Sequence, residues 1–324
     1  MKKVASLSIP LFLFFLAACS PIERMKTDVM EPAEMAFPEE VFTLTFLIPE
    51  PEIVINTRTY DEIDAKTDEE LWAGITDIAA ISPRFNVNAL NLMKTDTIRQ
   101  DTLKWKEVRQ ITDSLDVDGL MVLHQLKFSD SLDREIVYDS NYEGYYFIYK
   151  IQAMINWKIY EPQSQTIFNT HSYKEKFVWE GLGSTEKEAI RKLVDINRAF
   201  SSAAYWSGND IGHTLFPYWV EQERFYFIRG NRYFRRARDH VENNNWQKAI
   251  DIWKKNFKLN SEDAAYRAAH NIAFACEMLG KIDLAIEWAE KALDIGYAKR
   301  SREYLDTLRE RKEKLDKIDE QMPL

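Results

Sequence analysis

The sequence lacks the motifs that usually mark an enzyme. It has no GxSxG nucleophile elbow, no HExxH zinc motif and no phosphate-binding loop. The stretch "GLGS" at 181–184 carries two glycines without the rest of a nucleotide-binding fingerprint, so it predicts a turn. We therefore expect a protein that is not an enzyme and that uses no small-molecule cofactor.

Metal-binding patterns are also missing from the sequence. "SLDVDG" at 114–119 approaches a calcium-binding loop, but Gln125 stands at the twelfth position, where a bidentate carboxylate is needed. It predicts a helix-to-strand turn instead. The five histidines are dispersed, without the spacing of metal ligands: His124, His171, His213, His240 and His270. We expect no metal site, and we expect His124, which lies in an apolar strand, to be a core histidine.

Cysteine is scarce, with only Cys19 and Cys276 in 324 residues. Cys276 falls on the apolar face of a predicted helix, which is typical of an inert buried thiol. Cys19 follows two lysines, the apolar stretch Val4–Leu16 and two alanines. That stretch is shorter than the roughly 20 residues that a membrane span needs, so residues 1–18 predict a secretory signal.

The end of this signal, Leu16-Ala17-Ala18-Cys19, resembles the lipobox of bacterial lipoproteins. The resemblance implies that the signal is cut before Cys19, that the thiol is lipidated and that the new amino group is acylated. Several acyl chains anchor a protein more firmly than one. Ser20, rather than an acidic residue, follows the cysteine, so the resemblance implies the outer membrane, with the protein facing the periplasm.

Charge divides the chain without the signal, which has 306 residues and a net charge of −11. Residues 19–222 have a net charge of −14 and residues 223–324 one of +3, which favours a domain boundary near 220. The acidic balance predicts no nucleic-acid partner. The segment 19–38 is polar, has three prolines and shows no period, which predicts a flexible tether.

Residues 39–206 predict an α/β domain. Apolar patterns indicate strands in 41–53, 84–90 and 119–128, and helices in 68–82 and 105–115. Strict alternation over 145–159 predicts a long hairpin with the strand after "YEPQSQT". Thr185 and Glu188 match a capping box, and a helical face follows it to Ala203. The order βαβα, strand meander, α and the phrase "SPRFNV" resemble the α/β domains of periplasmic lipoproteins such as the curli secretion channel subunit and the penicillin-binding-protein activators.

Two segments of the carboxyl-terminal part repeat with a spacing of 36 residues. "HVENNNWQKAIDIWKKNFKL" and "CEMLGKIDLAIEWAEKALDI" align on Ala249 and Ala285. They resemble tetratricopeptide (TPR) repeats, in which two helices cross closely at small residues. The resemblance implies an all-α TPR-like domain over 230–324, capped by a charged helix from about Ala298 to Gln321, with 207–229 as a joint. The predicted fold class is α+β, and the layout resembles a family of uncharacterised outer-membrane lipoproteins.

The TPR resemblance also implies a peptide-binding groove. Its positions on this chain are Asn231, Phe234, Arg238, Glu242, Arg267, His270, Phe274 and Glu277. Two aromatic rings that the pattern places on the surface, with arginines beside them, suit an extended acidic peptide. The open alternative is that the acidic first domain of the chain fills the groove and leaves no free site. We expect a protein-binding adaptor or scaffold in the envelope, with an envelope protein as its partner.

Two further features leave alternatives open. Aromatic residues are dense from Tyr138 to Phe234, which is typical of core packing but also suits glycan or peptidoglycan binding by exposed rings. Arg229, Arg232 and Arg236 form one helical stripe, which is typical of a solvated or intrachain face and also suits an acidic partner.

Replacing the predicted anchor residue tests the lipobox. Cys19→Ala removes the thiol that would be lipidated, so we expect it to abolish incorporation of labelled fatty acid. Cys276→Ala is the matched control and should leave the label in place. Label retained by Cys19→Ala would contradict the lipoprotein prediction.

Overall fold

The computed structural model describes residues 21–57, 66–85, 90–95, 102–139, 142–257, 261–296 and 299–322. The predicted signal and Cys19 lie outside these residues. The protein is mixed α+β and divides into two compact units. The sheet unit holds the described residues of 31–219 and 318–322, and the helical unit holds those of 21–30 and 220–317. No helix in the described part of the chain is long and apolar enough to cross a membrane.

Strands and helices are interspersed in the first two thirds of the chain, and helices alone follow at the carboxyl end. The elements are β1 (Ile22–Glu31), β2 (Leu44–Pro49), β3 (Glu52–Val54), α1 (Thr67–Ala80), β4 (Leu90–Thr95), α2 (Trp105–Leu115), β5 (Gly119–Asp139), β6 (Tyr142–Glu161), β7 (Thr166–Gly183), α3 (Glu186–Arg191), α4 (Ile196–Leu215), β8 (Tyr218–Phe227), α5 (Arg232–Glu242), α6 (Trp246–Phe257), α7 (Glu262–Met278), α8 (Ile282–Ile295) and α9 (Lys299–Gln321).

The sheet unit is built on one mixed sheet in the order β4-β2-β5-β6-β7, with β3 paired to β5. β2 runs parallel to β4 and β5, whereas β5, β6 and β7 are antiparallel neighbours. Successive side chains of a strand point to opposite faces. Phe46 accordingly joins the main core with α1 and α4, and Leu47 joins a smaller cluster with Val108 of α2.

Helices α1 and α4 approach each other so closely that glycine is required at their contact. A Cβ atom at Gly208 would lie 2.0 Å from the backbone oxygen of Leu71, and one at Gly74 would lie 2.1 Å from that of Tyr205. Real side-chain atoms do not come this near to backbone, so only glycine fits. The crossing covers the core face of the sheet, where Leu71 and Ile75 are fully buried.

Arg84, within "SPRFNV", binds several backbone carbonyls of the sheet unit. Its guanidinium donates to the carbonyl oxygen of Pro38 at 2.9 Å and to that of Gln321. The Gln321 side chain in turn accepts from the backbone N–H of Ala33 at 2.9 Å and donates to its carbonyl at 2.8 Å. These bonds explain why the last described residues belong to this unit.

The helical unit repeats its boundaries after 36 residues. Helix α5 ends at Glu242 and α7 at Met278, while α6 begins at Trp246 and α8 at Ile282. A left-handed residue lies in each intervening turn, Asn244 with φ 55° and Gly280 with φ 69°, again 36 positions apart. Ala249 and Ala285, on which the sequence segments align, are both fully buried.

Most predicted elements of the sheet unit are confirmed. Helix α2 spans the predicted residues 105–115, and the predicted hairpin is β6 with β7. Thr185 caps α3 by accepting from the backbone N–H of Glu188 at 3.2 Å. The Glu188 carboxylate accepts from the backbone N–H and the hydroxyl of Ser184, not from the backbone N–H of Thr185 as a capping box requires. These hydrogen bonds lower the pKa of Glu188. The single predicted helix after Thr185 is instead two, α3 and α4.

Two predictions about the ends of the sheet domain are wrong. The predicted tether 19–38 contains the strand β1, and the predicted joint 207–229 contains the end of α4 and the strand β8. β1 and β8 pair in a two-stranded sheet, to which Arg24 and Glu223 add an ion pair of 3.0 Å. The unit that holds the carboxyl-terminal helices is therefore not all-α as predicted, because this small sheet is part of it.

The crossing of α1 and α4 yields a stability test. Gly208→Ala forces backbone apart at a 2.0 Å approach, and overpacking of this kind costs about 1–3 kcal/mol. Gly296→Ala is the control, because its nearest neighbour would be 3.6 Å away. We expect a lower midpoint of chemical unfolding for Gly208→Ala alone. Equal midpoints for both variants would contradict the packing.

Candidate functional site

The eight predicted groove residues all lie in the helical unit, but half of them are buried. Phe234 is 1% exposed, Glu277 is 4% exposed, and His270 and Phe274 are fully buried. Asn231 and Arg267 are half-buried, whereas Arg238 and Glu242 are exposed. The expectation that Phe234 and Phe274 present their rings to solvent is therefore wrong.

Strand β8 packs against two of the buried members of the predicted groove, His270 and Phe274. The ring of His270 stacks on Phe225 at 4.5 Å between centroids, and the ring of Phe274 stacks on Tyr226 at 5.6 Å. The sequence left open that the acidic first domain, residues 39–206, fills the groove. The segment that covers these residues is instead β8, which lies outside that predicted domain and belongs to the helical unit.

Asn271 fixes β8 to helix α7 through backbone bonds that no motif predicts. Its side-chain oxygen accepts from the N–H of Phe227 and its amide donates to the carbonyl of the same residue, both at 2.7 Å. The side chain thereby satisfies the two backbone groups of Phe227 as a neighbouring strand would. A polar residue among the alanines of α7 was the only sequence signal for this contact.

A buried ion pair lies beside these contacts. Arg224 binds both carboxylate oxygens of Glu277 through Nε at 3.1 Å, and its side chain is 7% exposed against 1% for Glu277. The hydroxyl of Tyr304 donates to Glu277 at 2.6 Å, and Arg311 approaches the same carboxylate at 3.6 Å. Burial, followed by the nearby Glu277 carboxylate, raises the pKa of Tyr304, so the hydroxyl keeps its proton. The carboxylate is fully engaged and is a structural group.

His270 is held in one protonation state and one tautomer. Burial lowers the pKa of His270 to about 4, so the ring is neutral at pH 7. Nε2 lies 3.2 Å from the carbonyl oxygen of Phe225, which only accepts, so Nε2 carries the proton. Nδ1 then accepts from Ser301 at 3.1 Å, and Tyr266 donates to Ser301 at 2.6 Å.

An open cleft of about 250 Å³ remains next to the ion pair. One wall is fixed by the buried Arg224 and Tyr304, and the rim carries both signs of charge. The lining residues are Ile22, Arg24, Glu223, Arg224, Phe225, Arg300, Glu303, Tyr304 and Thr307. Arg300 is exposed here, while Arg24 pairs with Glu223. The cleft thus presents hydrogen-bonding and charged side chains on a wall that the ion pair holds in place.

The two arginines among the groove residues make intrachain ion pairs. Arg238 binds Glu23 at 2.8 Å and Glu242 at 3.0 Å. Arg267 binds Asp263 at 3.0 Å and places its guanidinium over the ring of Phe227. Arg229, Arg232 and Arg236, the predicted arginine stripe, are all exposed. Whether any of these residues contacts a partner stays a prediction.

The other residues singled out from the sequence have structural surroundings. The helix-to-strand turn predicted at 114–119 is confirmed: Asp116 is left-handed, with φ 52°, and Asp118 accepts from the backbone N–H of Thr43 at 2.9 Å. A cleft of about 480 Å³ lies at this turn.

Cys276 is buried, as predicted, and burial raises its pKa. His124 is only half-buried, and its Nε2 lies 3.3 Å from the hydroxyl of Tyr160. Within the described ranges, no group of three His, Cys, Asp or Glu side chains could hold a metal ion.

Two family models, both of domains of unknown function, match parts of the chain. The model of the domain of unknown function DUF8603 matches residues 86–227, and that of DUF6340 matches residues 235–316. The first match begins between α1 and β4, so that it leaves out β2, β3 and α1, and it ends with β8, whereas the second covers most of the helices that follow. No curated protein matches the chain.

Several solved structures are similar to part of the chain. A homolog of the neuraminyllactose-binding hemagglutinin from Helicobacter pylori is 13% identical, with 57% of this chain and 91% of that chain covered and a TM-score of 0.34. A minor lipoprotein from Acinetobacter baumannii is 10% identical, with 55% and 98% covered and a TM-score of 0.23. Rare lipoprotein B from Shewanella oneidensis is 11% identical, with 50% and 89% covered and a TM-score of 0.21. Scores this low do not establish a common fold.

The neutral state of His270 yields a pH prediction. In the unfolded chain this histidine takes up a proton near pH 6.5, whereas in the folded protein its pKa is about 4. The unfolded state therefore binds more protons between these values, so the free energy of unfolding falls as the pH drops from 6.5 towards 4. His270→Asn should make this fall shallower, as measured by urea unfolding at several pH values. Identical pH profiles for both proteins would contradict the buried neutral ring.

Proposed function

We propose that the protein is a lipid-anchored protein of the cell envelope and that it acts as a protein-binding adaptor through its helical unit. The anchor is Cys19, and the outer membrane, with the protein on its periplasmic side, is the proposed location. The lipobox sequence supports the anchor, because a charged start, a short apolar core, small residues and cysteine occur in the order that lipidation needs.

The recurrence of helix boundaries supports a TPR-like character of the helical unit. Consecutive helices α5 to α8 pack against one another. Their turns and their buried alanines repeat at the 36-residue spacing seen in the sequence. Helical repeats of this kind present extended surfaces to other proteins. That β8, an extended segment, occupies their predicted groove supports the view that the helices are shaped to hold an extended chain.

The open cleft carries the proposal. Its rim combines the exposed guanidinium of Arg300 with the hydroxyl of Thr307, and the buried Arg224 holds its wall in place. An arginine pairs bidentately with a carboxylate, so an acidic segment of an envelope protein fits this rim. Because the wall is already ordered, little conformational entropy is lost on binding.

A charge reversal in the cleft tests the proposed function. Arg300→Glu places a repulsive carboxylate where an acidic segment would bind, so we expect partners captured by the full-length protein from detergent-solubilised envelopes to be lost. Arg302→Glu is the matched control: it lies on the same helix, outside the cleft, and makes a local pair with Asp306. Equal capture by both variants would contradict the cleft as the binding site.

Glycan binding is the alternative, and one observation favours it. Trp157 is buried as core packing predicts, but Trp206 on α4 is 53% exposed, with the ring of Tyr205 against it at 5.3 Å. An exposed indole can stack on a sugar ring. Sedimentation with purified peptidoglycan that disappears in Trp206→Ala, together with no protein partner sensitive to Arg300→Glu, would replace the adaptor proposal with this one.

A further inference from the structure

Strand β7 forms one end of the main sheet. It pairs with β6 along its whole length, and within the described residues no strand pairs with its other edge. An unpaired edge of 18 residues is a template for another strand, and proteins normally shorten, charge or cover such edges.

Two hydrogen bonds show which residues direct their backbone away from β6. The N–H of Lys176 donates to its neighbour Glu175 at 2.9 Å, and the carbonyl of Leu182 accepts from Lys192 at 2.8 Å. In an antiparallel strand the N–H and C=O of one residue point the same way, and alternate residues share that direction. Lys174, Val178 and Glu180 therefore also present their backbone groups at the free edge.

The side chains of this set alternate between charged and apolar residues, with two large apolar ones exposed. Val178 and Leu182 are each 48% exposed. Between them lies Glu180, which the hydroxyl of Tyr146 on β6 holds by a hydrogen bond. Large apolar side chains on a long free edge predict a partner strand.

We infer that β7 is a self-association edge, at which β7 of a second copy pairs antiparallel about a two-fold axis through Val178. In this register Lys176 lies opposite Glu180 of the second copy, and Glu180 lies opposite its Lys176. Opposite charges across an antiparallel pair are stabilising, and like charges are destabilising. A shift of the axis by two residues would place Lys176 opposite Lys176 or Glu180 opposite Glu180. An axis through Phe177 would also place a lysine, Lys174, opposite Glu180. The charges thus favour a second copy as the partner, and the crosslinking position decides between these two registers.

Charge reversal at this edge tests the inference with an internal rescue. Lys176→Glu leaves only acidic groups across the axis, and Glu180→Lys leaves only basic ones, so each full-length variant in detergent should stay monomeric where the native chain dimerises. Mixing the two variants pairs acid with base, and the double variant Lys176→Glu/Glu180→Lys restores both pairs, so both samples should dimerise. Lys106→Glu on α2, an exposed change of the same charge, should dimerise like the native chain.

A cysteine scan tests the register. Residue 178 would face its own copy at a Cα separation of about 5.5 Å, which a disulfide can bridge. Val178→Cys should therefore crosslink under mild oxidation, whereas Lys174→Cys, about 26 Å from its own copy, should not. A native chain that stays monomeric, single variants that dimerise as well as the native chain, or equal crosslinking at both positions would overturn the inference. The inference would also be overturned if β7 associated only with a strand of a different protein and not with a second copy of this chain.

Discussion

The buried ion pair of Arg224 and Glu277 fixes the architecture of the helical unit. A charged side chain that is 1% exposed is stable only with its partner in place, because removal of one member leaves the other charge buried at a cost of about 3–5 kcal/mol. Arg224 therefore cannot leave α7, and β8 must lie along that helix. β1 follows, because it pairs with β8. Asn271 and His270 then complete the backbone and ring contacts of β8.

This arrangement changes how a repeat-like unit can bind a partner. The face that the repeat pattern assigns to a peptide is occupied by the chain itself, and for this reason we propose the neighbouring cleft at Arg300 as the site for an external segment. Four groove positions that seem available in the sequence are core residues. The sequence positions of a binding motif therefore do not show whether its surface is free.

Local signals predicted the elements whose residues interact within one helix or hairpin. The apolar spacing of 105–115, the cap at Thr185 and the alternation over 145–159 all depend on near neighbours, and the structure contains them. The closeness of α1 to α4 could not be read in this way, because Gly74 and Gly208 meet through tertiary packing.

The missed strands depend on distant residues. β1 is polar and without apolar period, and its ion pair joins Arg24 to Glu223, 199 positions away. Arg224 and Glu277 are likewise 53 positions apart, so neither looks buried in its own segment. Arg224 within the aromatic run "ERFYF" was the sequence signal for a buried charge, but the same pattern also fits an exposed arginine.

Hydrogen exchange of the native protein tests the occupied groove most directly, because amides exchange according to the free energy of the opening that exposes them. If β8 is fixed on α7, the amides of residues 222–227 should exchange as slowly as those in the centre of α7, and Glu277→Gln should accelerate β8 more than α7. Fast exchange along β8 while α7 stays protected in the native protein would show that the groove opens and would contradict this account.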